Sequence, residues 1–435
     1  MRSLNPIEQA LTITNESYPM AVVCVVKLLA RPSAEALQSA LDHVQAKYAF
    51  LRSYIIEKKG SYLFEEDSKR NQITLKVIKR NDDDHWREIC TNELNDGFDH
   101  TRSPLMRANY LISDTHDSKA EIVLSFHHAI IDSAFFLSIT DQLLTIASEI
   151  SAEKPSLISI SQKSADISPI LKDLLPSSFK KPQLIFRLMP FILRQLKGER
   201  DYKKKNNEVK DMAIPPSSEN DILTVDFTEQ ETIALIKWSR KNKLSLSSII
   251  SAVMMQVVNR YNYDSCKPVM RAAQFASLRP YLKPSIPNDV EGCFIAMMRF
   301  NIQTKKGNDL KKIARELDSQ FRQSVNRGDK FLFNLLSKML IKKSFRDKKE
   351  RFGSTALSYV GPVQIKKKYG ELEVAGIHGF ISNNCLGPEL SGFGKICFGR
   401  LSLDLNILTA ETDREKGAKM KDDIKSILQH SISEK

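Results

Sequence analysis

Residues 121–136, EIVLSFHHAIIDSAFF, constrain the fold more than any other stretch of the chain. An apolar, β-branched run reads as a buried strand, and it stops at two adjacent histidines. Phe135, Phe136, Ile139, Leu143 and Ile146 then recur at helical spacing, so a helix follows at once. Strand, short loop and helix in immediate succession call for a mixed α/β architecture. The pairing is not casual in a chain that holds only 8 His among 435 residues.

The rest of the first half fits that class. AVVCVVKLLA (21–30) reads as a buried strand, Ser33 offers an N-cap, and Ala34, Leu37, Leu41, Val44 and Tyr48 follow at helical spacing. SYLFEE, ITLKVIK, PLMRANYLIS (104–113) and AEIVLSF (120–126) read as strands, the last two joined by the polar turn DTHDSK. The expected division is a first lobe over 1–150, a connection over 151–222 and a second lobe over 223–435. Serines open the connection, and prolines recur at 155, 169, 176, 182 and 190. Inside it QLIFRLMPFILRQLK (183–197) is apolar on most sides and interrupted by Pro190. It reads as a kinked helix packed on the protein, with a lid over a greasy pocket and an interfacial membrane segment as the alternatives.

In the second half Thr228 and Glu231 form a capping box, and SLSSIISAVMMQVVNRY (245–261) reads as a buried helix. Strands are expected at CFIAMMRFNI (293–302), STALSYVG (354–361) and KICFGRLSLDLNIL (395–408), with a last helix from Asp413 to Gln429. Each half thus mixes strands and helices.

No apolar run approaches the roughly 20 residues needed to cross a bilayer, and the opening residues lack the apolar core of a signal peptide. The six cysteines (24, 90, 266, 293, 385, 397) are scattered without a CxxC, so neither a disulfide framework nor a zinc site is expected and a reducing cytoplasm is the simplest setting. Charge is divided: residues 1–150 carry 16 Lys and Arg against 21 Asp and Glu, a net of −5, and the remainder 49 against 31, a net of +18. A basic half suits an anionic partner, or is a solvated lysine-rich surface. No helix-turn-helix, zinc finger or RNP-type aromatic motif supports nucleic acid.

Alternation along a strand sends His127 and His128 in opposite directions, so one faces any given cleft and the other is buried. A neutral imidazole is a good general base near neutral pH. Asp132 is placed to orient a histidine or to pair with an arginine and fix the loop. Spacing alone leaves a catalytic base and a buried structural pair both open. A metal site is disfavoured because adjacent strand residues diverge and no third ligand cluster is evident. A serine nucleophile is disfavoured because Ser125 and Ser133 lie in no G-x-S-x-G elbow.

HHAIIDS resembles the HHxxxDG signature of the condensation-domain and chloramphenicol-acetyltransferase-like acyltransferases. That superfamily includes nonribosomal peptide condensation domains, plant acyltransferases with an HxxxD core, alcohol acetyltransferases and the mycobacterial dimycocerosyl transferases. Further stretches agree in order. YAFLRS is similar to a HPxLR element and keeps Leu51 and Arg52. GFDHTRSPLMRANYL resembles the element before the histidine strand, and ASLRPYLKP an LRP element. ALSYVGPVQI resembles the SNxG strand of stand-alone members, with Tyr359 where Asn is usual. GFGK (392–395) lies near the place of a DFGWG element that has no clean match. The likeness spans roughly residues 5–430 and is nearest in character to stand-alone alcohol acetyltransferases and phthiocerol dimycocerosyl transferases.

The resemblance implies an α/β (α+β sandwich) fold of two similar lobes in a V, with an active-site tunnel between them. It implies acyl transfer from acyl-CoA or an acyl carrier protein to a small-molecule alcohol or amine in a ternary complex, with no separate cofactor and no metal. His128 is then the general base, with His127 and Asp132 structural and Asp132 paired to an arginine, Arg279 or Arg52. Ser133, Ser358, Tyr359, Gly361 and Arg279 take substrate-binding places. Ser133 stands where the signature has Gly, which allows positive φ and close approach of substrate. That departure supports the alternative, a degenerate fold serving as a binding module. A monomer, cytoplasmic with possible peripheral membrane contact, completes the expectation.

Overall fold

A computed structural model of the chain describes residues 2–113, 118–152, 168–206, 215, 217–264, 266–304, 309–347 and 351–433. In chain order the first elements are β1 (Arg2–Ser3), α1 (Pro6–Asn15), β2 (Ala21–Ala30), α2 (Ala34–Lys47), β3 (Ser53–Lys58), β4 (Ser61–Glu66), β5 (Leu75–Lys79), α3 (His85–Asn95), β6 (Met106–Ile112), β7 (Ala120–His127) and α4 (Ser133–Ser151). Then come α5 (Leu171–Leu174), α6 (Gln183–Lys205), β8 (Asn220–Asp226), α7 (Glu229–Lys241), α8 (Leu246–Asn262), β9 (Val269–Ser277), β10 (Ile295–Gln303), α9 (Leu310–Arg327) and α10 (Asp329–Asp347). The chain ends through β11 (Thr355–Pro362), β12 (Lys368–Tyr369), β13 (Leu372–Ile381), β14 (Leu390–Cys397), β15 (Arg400–Leu408) and α11 (Arg414–Ser433).

These elements build two compact units, neither continuous in sequence. The first is Met1–Leu174 with Pro284–Phe294 and Val363–Ser382, and the second is the remainder. The expected boundaries at 150 and 222 treat each lobe as one stretch, whereas two segments from the second half complete the first unit. Its main sheet has the order β12-β13-β2-β7-β6-β5, all antiparallel except β5 beside β6. A smaller sheet runs β1-β4-β3. All eight residues of β7 are buried, because both flanks and both faces are covered, which is why its sequence reads as a continuous apolar run. Ser33 caps α2 through Ala36 N–H as its position suggested.

The second unit has the sheet β10-β9-β11-β14-β15-β8, with β11 parallel to both its neighbours. The buried helix α8 packs on β9, β11 and β14. Thr228 and Glu231 close the capping box of α7. The stretch 395–408, expected as one strand, is instead two antiparallel strands joined at Phe398 and Gly399, whose φ values of 48° and 80° fit a tight hairpin turn. The apolar segment 183–197 lies within α6, which continues through Pro190 to Lys205. Most of the serine-rich start of the expected connection (153–167), its stretch 207–214, and part of the DTHDSK turn (114–117) lie outside the described residues. Among the described residues no helix is long and apolar enough to cross a membrane, and no cluster of three His, Cys, Asp or Glu is placed to hold a metal ion.

Candidate active site

The histidine loop begins where β7 ends, and the flanking chain holds it past the last ladder pair. His127 N–H donates to Leu105 O at 3.0 Å and His128 N–H to Met20 O at 3.0 Å. His128–Ile130 form a single 3-10 turn, and Asp132 then caps α4, its Oδ1 accepting from Phe135 N–H at 3.0 Å. Its Oδ2 accepts from Phe294 N–H at 3.1 Å, and Gly292 N–H donates to Ile130 O at 3.2 Å. The loop is thus pinned by the strands before it and by the segment 284–294 beside it.

The two imidazoles do different work. His127 is fully buried, and its Nδ1 accepts from Ala129 N–H at 3.1 Å. A nitrogen that accepts carries no proton, so the neutral ring is protonated at Nε2, which has no hydrogen-bond partner among the described residues and lies near the Phe98 and His100 rings. Burial pushes its pKa down to about 3, with neighbouring His100 and His128 adding to the effect. His127 is therefore a fixed, uncharged brace.

His128 Nδ1 stands 3.2 Å from Ile131 O. A carbonyl only accepts, so Nδ1 bears the hydrogen and Nε2 keeps its lone pair. Burial holds His128 below the ordinary histidine range, opposed by the Ile131 carbonyl and the Asp132 charge. Near neutral pH the ring is neutral and its Nε2 is able to take a proton. The carbonyl of Ile131 orients it, while the Asp132 carboxylate fixes the loop through two backbone amides.

Ser133, half-buried, is the first residue of α4 and is absent from the positive-φ positions. The left-handed backbone expected for a glycine there is not required, so a serine fits without strain. Ser125 Oγ is buried with no hydrogen-bond partner among the described residues, so no base activates it. Arg52 is not the arginine beside Asp132: its Nε pairs with Glu66 Oε1 at 2.8 Å, and its Nη1 donates to the carbonyls of Gln45, Ala46 and Tyr48. Arg279 lies buried in a 3-10 turn of the second unit, its N–H donating to Ser277 Oγ at 3.3 Å.

Ser358, Tyr359 and Gly361 lie on β11 of the second unit. The register shifts between Tyr359 and Gly361, where φ is +72°, so the strand carries a bulge that a glycine permits. Tyr359 faces Gly394 of β14, and a Cβ on Gly394 would lie 2.9 Å from Tyr359 Cδ2. Burial pushes the Tyr359 phenol up to about 12, so it stays neutral. GFGK is therefore central strand of the second sheet, its glycines making room for the side chains of β11 and β15.

Comparison with known proteins agrees with this architecture. Residues 217–391 match the family "Phthiocerol/phthiodiolone dimycocerosyl transferase C-terminus". TRI3 trichothecene 15-O-acetyltransferase from Fusarium sporotrichioides superposes with a TM-score of 0.76 at 13% identity, over 99% of this chain and 95% of that one. Polyketide synthase associated protein 5 from Mycobacterium tuberculosis gives 0.68 at 14%, over 100% and 98%. The first condensation domain of the calcium-dependent antibiotic synthetase gives 0.70 at 9%, over 100% and 97%. The chain thus shares the fold of these acetyltransferase and condensation-type proteins, and its residues 217–391 carry the family match. Sequence comparison with curated proteins gives no significant match.

Within this condensation-type fold, sequence reasoning missed the clamp on the histidine loop. Glu291 is buried; its Oε2 accepts from Phe50 N–H at 2.7 Å and its carbonyl from Ser168 Oγ at 2.6 Å. Cys293 N–H donates to Glu8 Oε1 at 3.3 Å, and Glu8 is itself held by Arg2 at 2.7 Å. Gly292, with φ of +119°, was the available signal in VEGCF.

Proposed function

We propose that this chain transfers an acyl group from a CoA or carrier-protein thioester to the hydroxyl, or amine, of a small acceptor, with His128 as general base. The observation that carries the reading is the Ile131 carbonyl at 3.2 Å from His128 Nδ1, which fixes the tautomer with a basic Nε2. Nε2 takes the acceptor's proton as its oxygen or nitrogen attacks the thioester carbonyl. The tetrahedral intermediate collapses, the C–S bond breaks, and the imidazolium returns the proton to the departing thiolate. Ester or amide and free thiol are the products, and no acyl-enzyme forms. Both donor types are anionic, in keeping with the net of +18 on residues 151–435, and a cytoplasmic setting suits both.

Ser358, Tyr359, Gly361 and Arg279 are carried as substrate-binding positions on the resemblance alone. The helical backbone of Ser133 supports the enzymatic reading over the binding-module alternative as far as a positive φ is concerned.

The test is thiol release from acyl-CoAs of several chain lengths, each offered with mixed alcohols and amines, and then from acyl carrier protein. Acceptor-dependent release that falls at least about a hundredfold in His128→Ala, with an unchanged thermal melt, is expected for loss of a general base. Equal release by wild type and His128→Ala with every donor overturns the proposal.

A further inference from the structure

Helix α6 is fastened to the second unit by one face only. Phe191 meets Phe333 of α10 edge-on at 4.9 Å, Tyr202 stacks under Arg271 at 3.7 Å, and Glu199 pairs with Arg271 and Arg299. Arg194 reaches Asp329 at 2.8 Å. The helix therefore has its partners and does not need its other face to stay in place.

That other face is greasy and exposed. Ile185, Phe186, Met189, Leu193 and Leu196 are 62%, 78%, 60%, 58% and 58% exposed. At 3.6 residues per turn they share about 100° of arc, roughly opposite Phe191 and Tyr202. Among the described residues eleven large apolar side chains are exposed; five belong to this arc and two more, Met339 and Leu340, to α10. Such concentration marks a contact surface, since apolar side chains left in water are ordinarily scattered. Toward the C-terminus the same outward side changes to exposed cations, Lys197, Arg200, Lys203 and Lys204, with the exposed Asp201 at its edge and Lys205 turned away from it. Glu199, an acid on this helix, is turned to the arginines beneath.

We propose that the outer face of α6 docks on an anionic lipid bilayer, its apolar arc entering the headgroup boundary and its basic turns meeting lipid phosphate. Charge complementarity selects this occupant. An apolar stripe running into long-stemmed cations of one sign suits a flat anionic surface with a greasy interior, because each ammonium reaches phosphate while its neighbours are immersed. The helix lies on the surface, being too polar to cross it. Acceptors of the proposed transfer that partition into lipid would then be met at the surface. The docking itself needs no acyl transfer, and its test needs none.

Full-length protein is sedimented with vesicles of phosphatidylcholine alone and with about one-third phosphatidylglycerol, at roughly 50 and 500 mM salt. The double variant Phe186→Ser, Leu193→Ser and the charge reversal Arg200→Glu, Lys204→Glu are compared after thermal melts confirm folding. Binding to the anionic vesicles that weakens with salt, and drops more than about tenfold in both variants, is expected. Absence of binding, or binding that neither variant reduces, overturns the proposal. So does a wild-type dimer that the serine variant turns into a monomer, which assigns the face to a second copy instead.

Discussion

The ends of β7 and β11 are fixed in opposite ways. Past β7, polar groups hold the chain: backbone amides of His127, His128, Gly292 and Phe294 all have named acceptors, and Asp132 spends its carboxylate on two of the surrounding amides. Along β11 the determinant is missing atoms. Gly361 permits the bulge and Gly394 leaves the space that the Tyr359 ring fills. The first arrangement depends on the protonation and bonding capacity of side chains. The second depends on their size, and should be indifferent to pH.

The largest separation of the two is expected from pH. Burial raises Glu291 from the ordinary carboxyl value of 4.5 to about 7, with the Phe50 amide and the Arg2 and Arg52 charges opposing. A carboxyl raised in the fold binds its proton more tightly there than in the unfolded chain. Its contribution to stability is thus complete below about pH 4.5 and is lost as pH rises through about 7, some 3 kcal/mol in order of magnitude. Glu291→Gln keeps an acceptor for Phe50 N–H and removes the titration. Thermal melts between pH 5 and 8, as about the range that brackets the shift, should show wild type losing stability relative to the variant. Protection of the Gly292 and Phe294 amides, measured against their intrinsic exchange rate at each pH, should fall over that range while protection of the β11 amides stays unchanged. Parallel pH profiles for wild type and Glu291→Gln would remove this carboxyl from the clamp.

A smaller effect tests the other side. Gly394→Ala places a Cβ 2.9 Å from Tyr359 Cδ2 and 3.3 Å from Leu403 Cδ2, in the middle of the sheet. Overpacking of this kind costs about 1–3 kcal/mol. Truncating the ring that is struck should recover part of it, so Gly394→Ala combined with Tyr359→Ala should be less destabilised than the two changes summed. Strict additivity in urea melts would show that the ring is not what the glycine accommodates.

These contrasts also explain what the sequence could and could not disclose. β2, β7 and the Ser33 and Thr228 caps were legible because burial pattern and cap chemistry are local. The histidine loop was legible as a motif. Its clamp was not, since Gly292 and Phe294 come to it from more than 150 residues away, and the bonds Gly292 N–H to Ile130 O and Phe294 N–H to Asp132 Oδ2 that mark the meeting belong to the folded chain. β13 was hidden for the same reason: LEVAGIHGFI alternates like many strands, and nothing in it names β2 as its neighbour. The hairpin at Phe398 lacked the usual signal, because a bulky residue takes the positive φ that Asn or Asp more often supplies. In α6 the apolar positions could be counted, but periodicity does not tell which of two apolar stripes the fold covers.

The smallest expected effect concerns the one letter in which the histidine signature departs from its relatives. If a glycine were needed after Asp132 for its backbone, Ser133 would be strained and Ser133→Gly would stabilise the chain and raise its turnover. The helical backbone at Ser133 argues the reverse: the first turn of α4 loses a little, about 0.5–1 kcal/mol at most, when a residue with a Cβ becomes glycine. Turnover should stay within about threefold of wild type, since the lone pair on His128 is set by Ile131 O and not by the residue after the aspartate. A large gain in kcat/KM for Ser133→Gly would reverse this argument. It would mean that space beside the reacting groups, the kind of control seen at Gly394, also governs the end of β7.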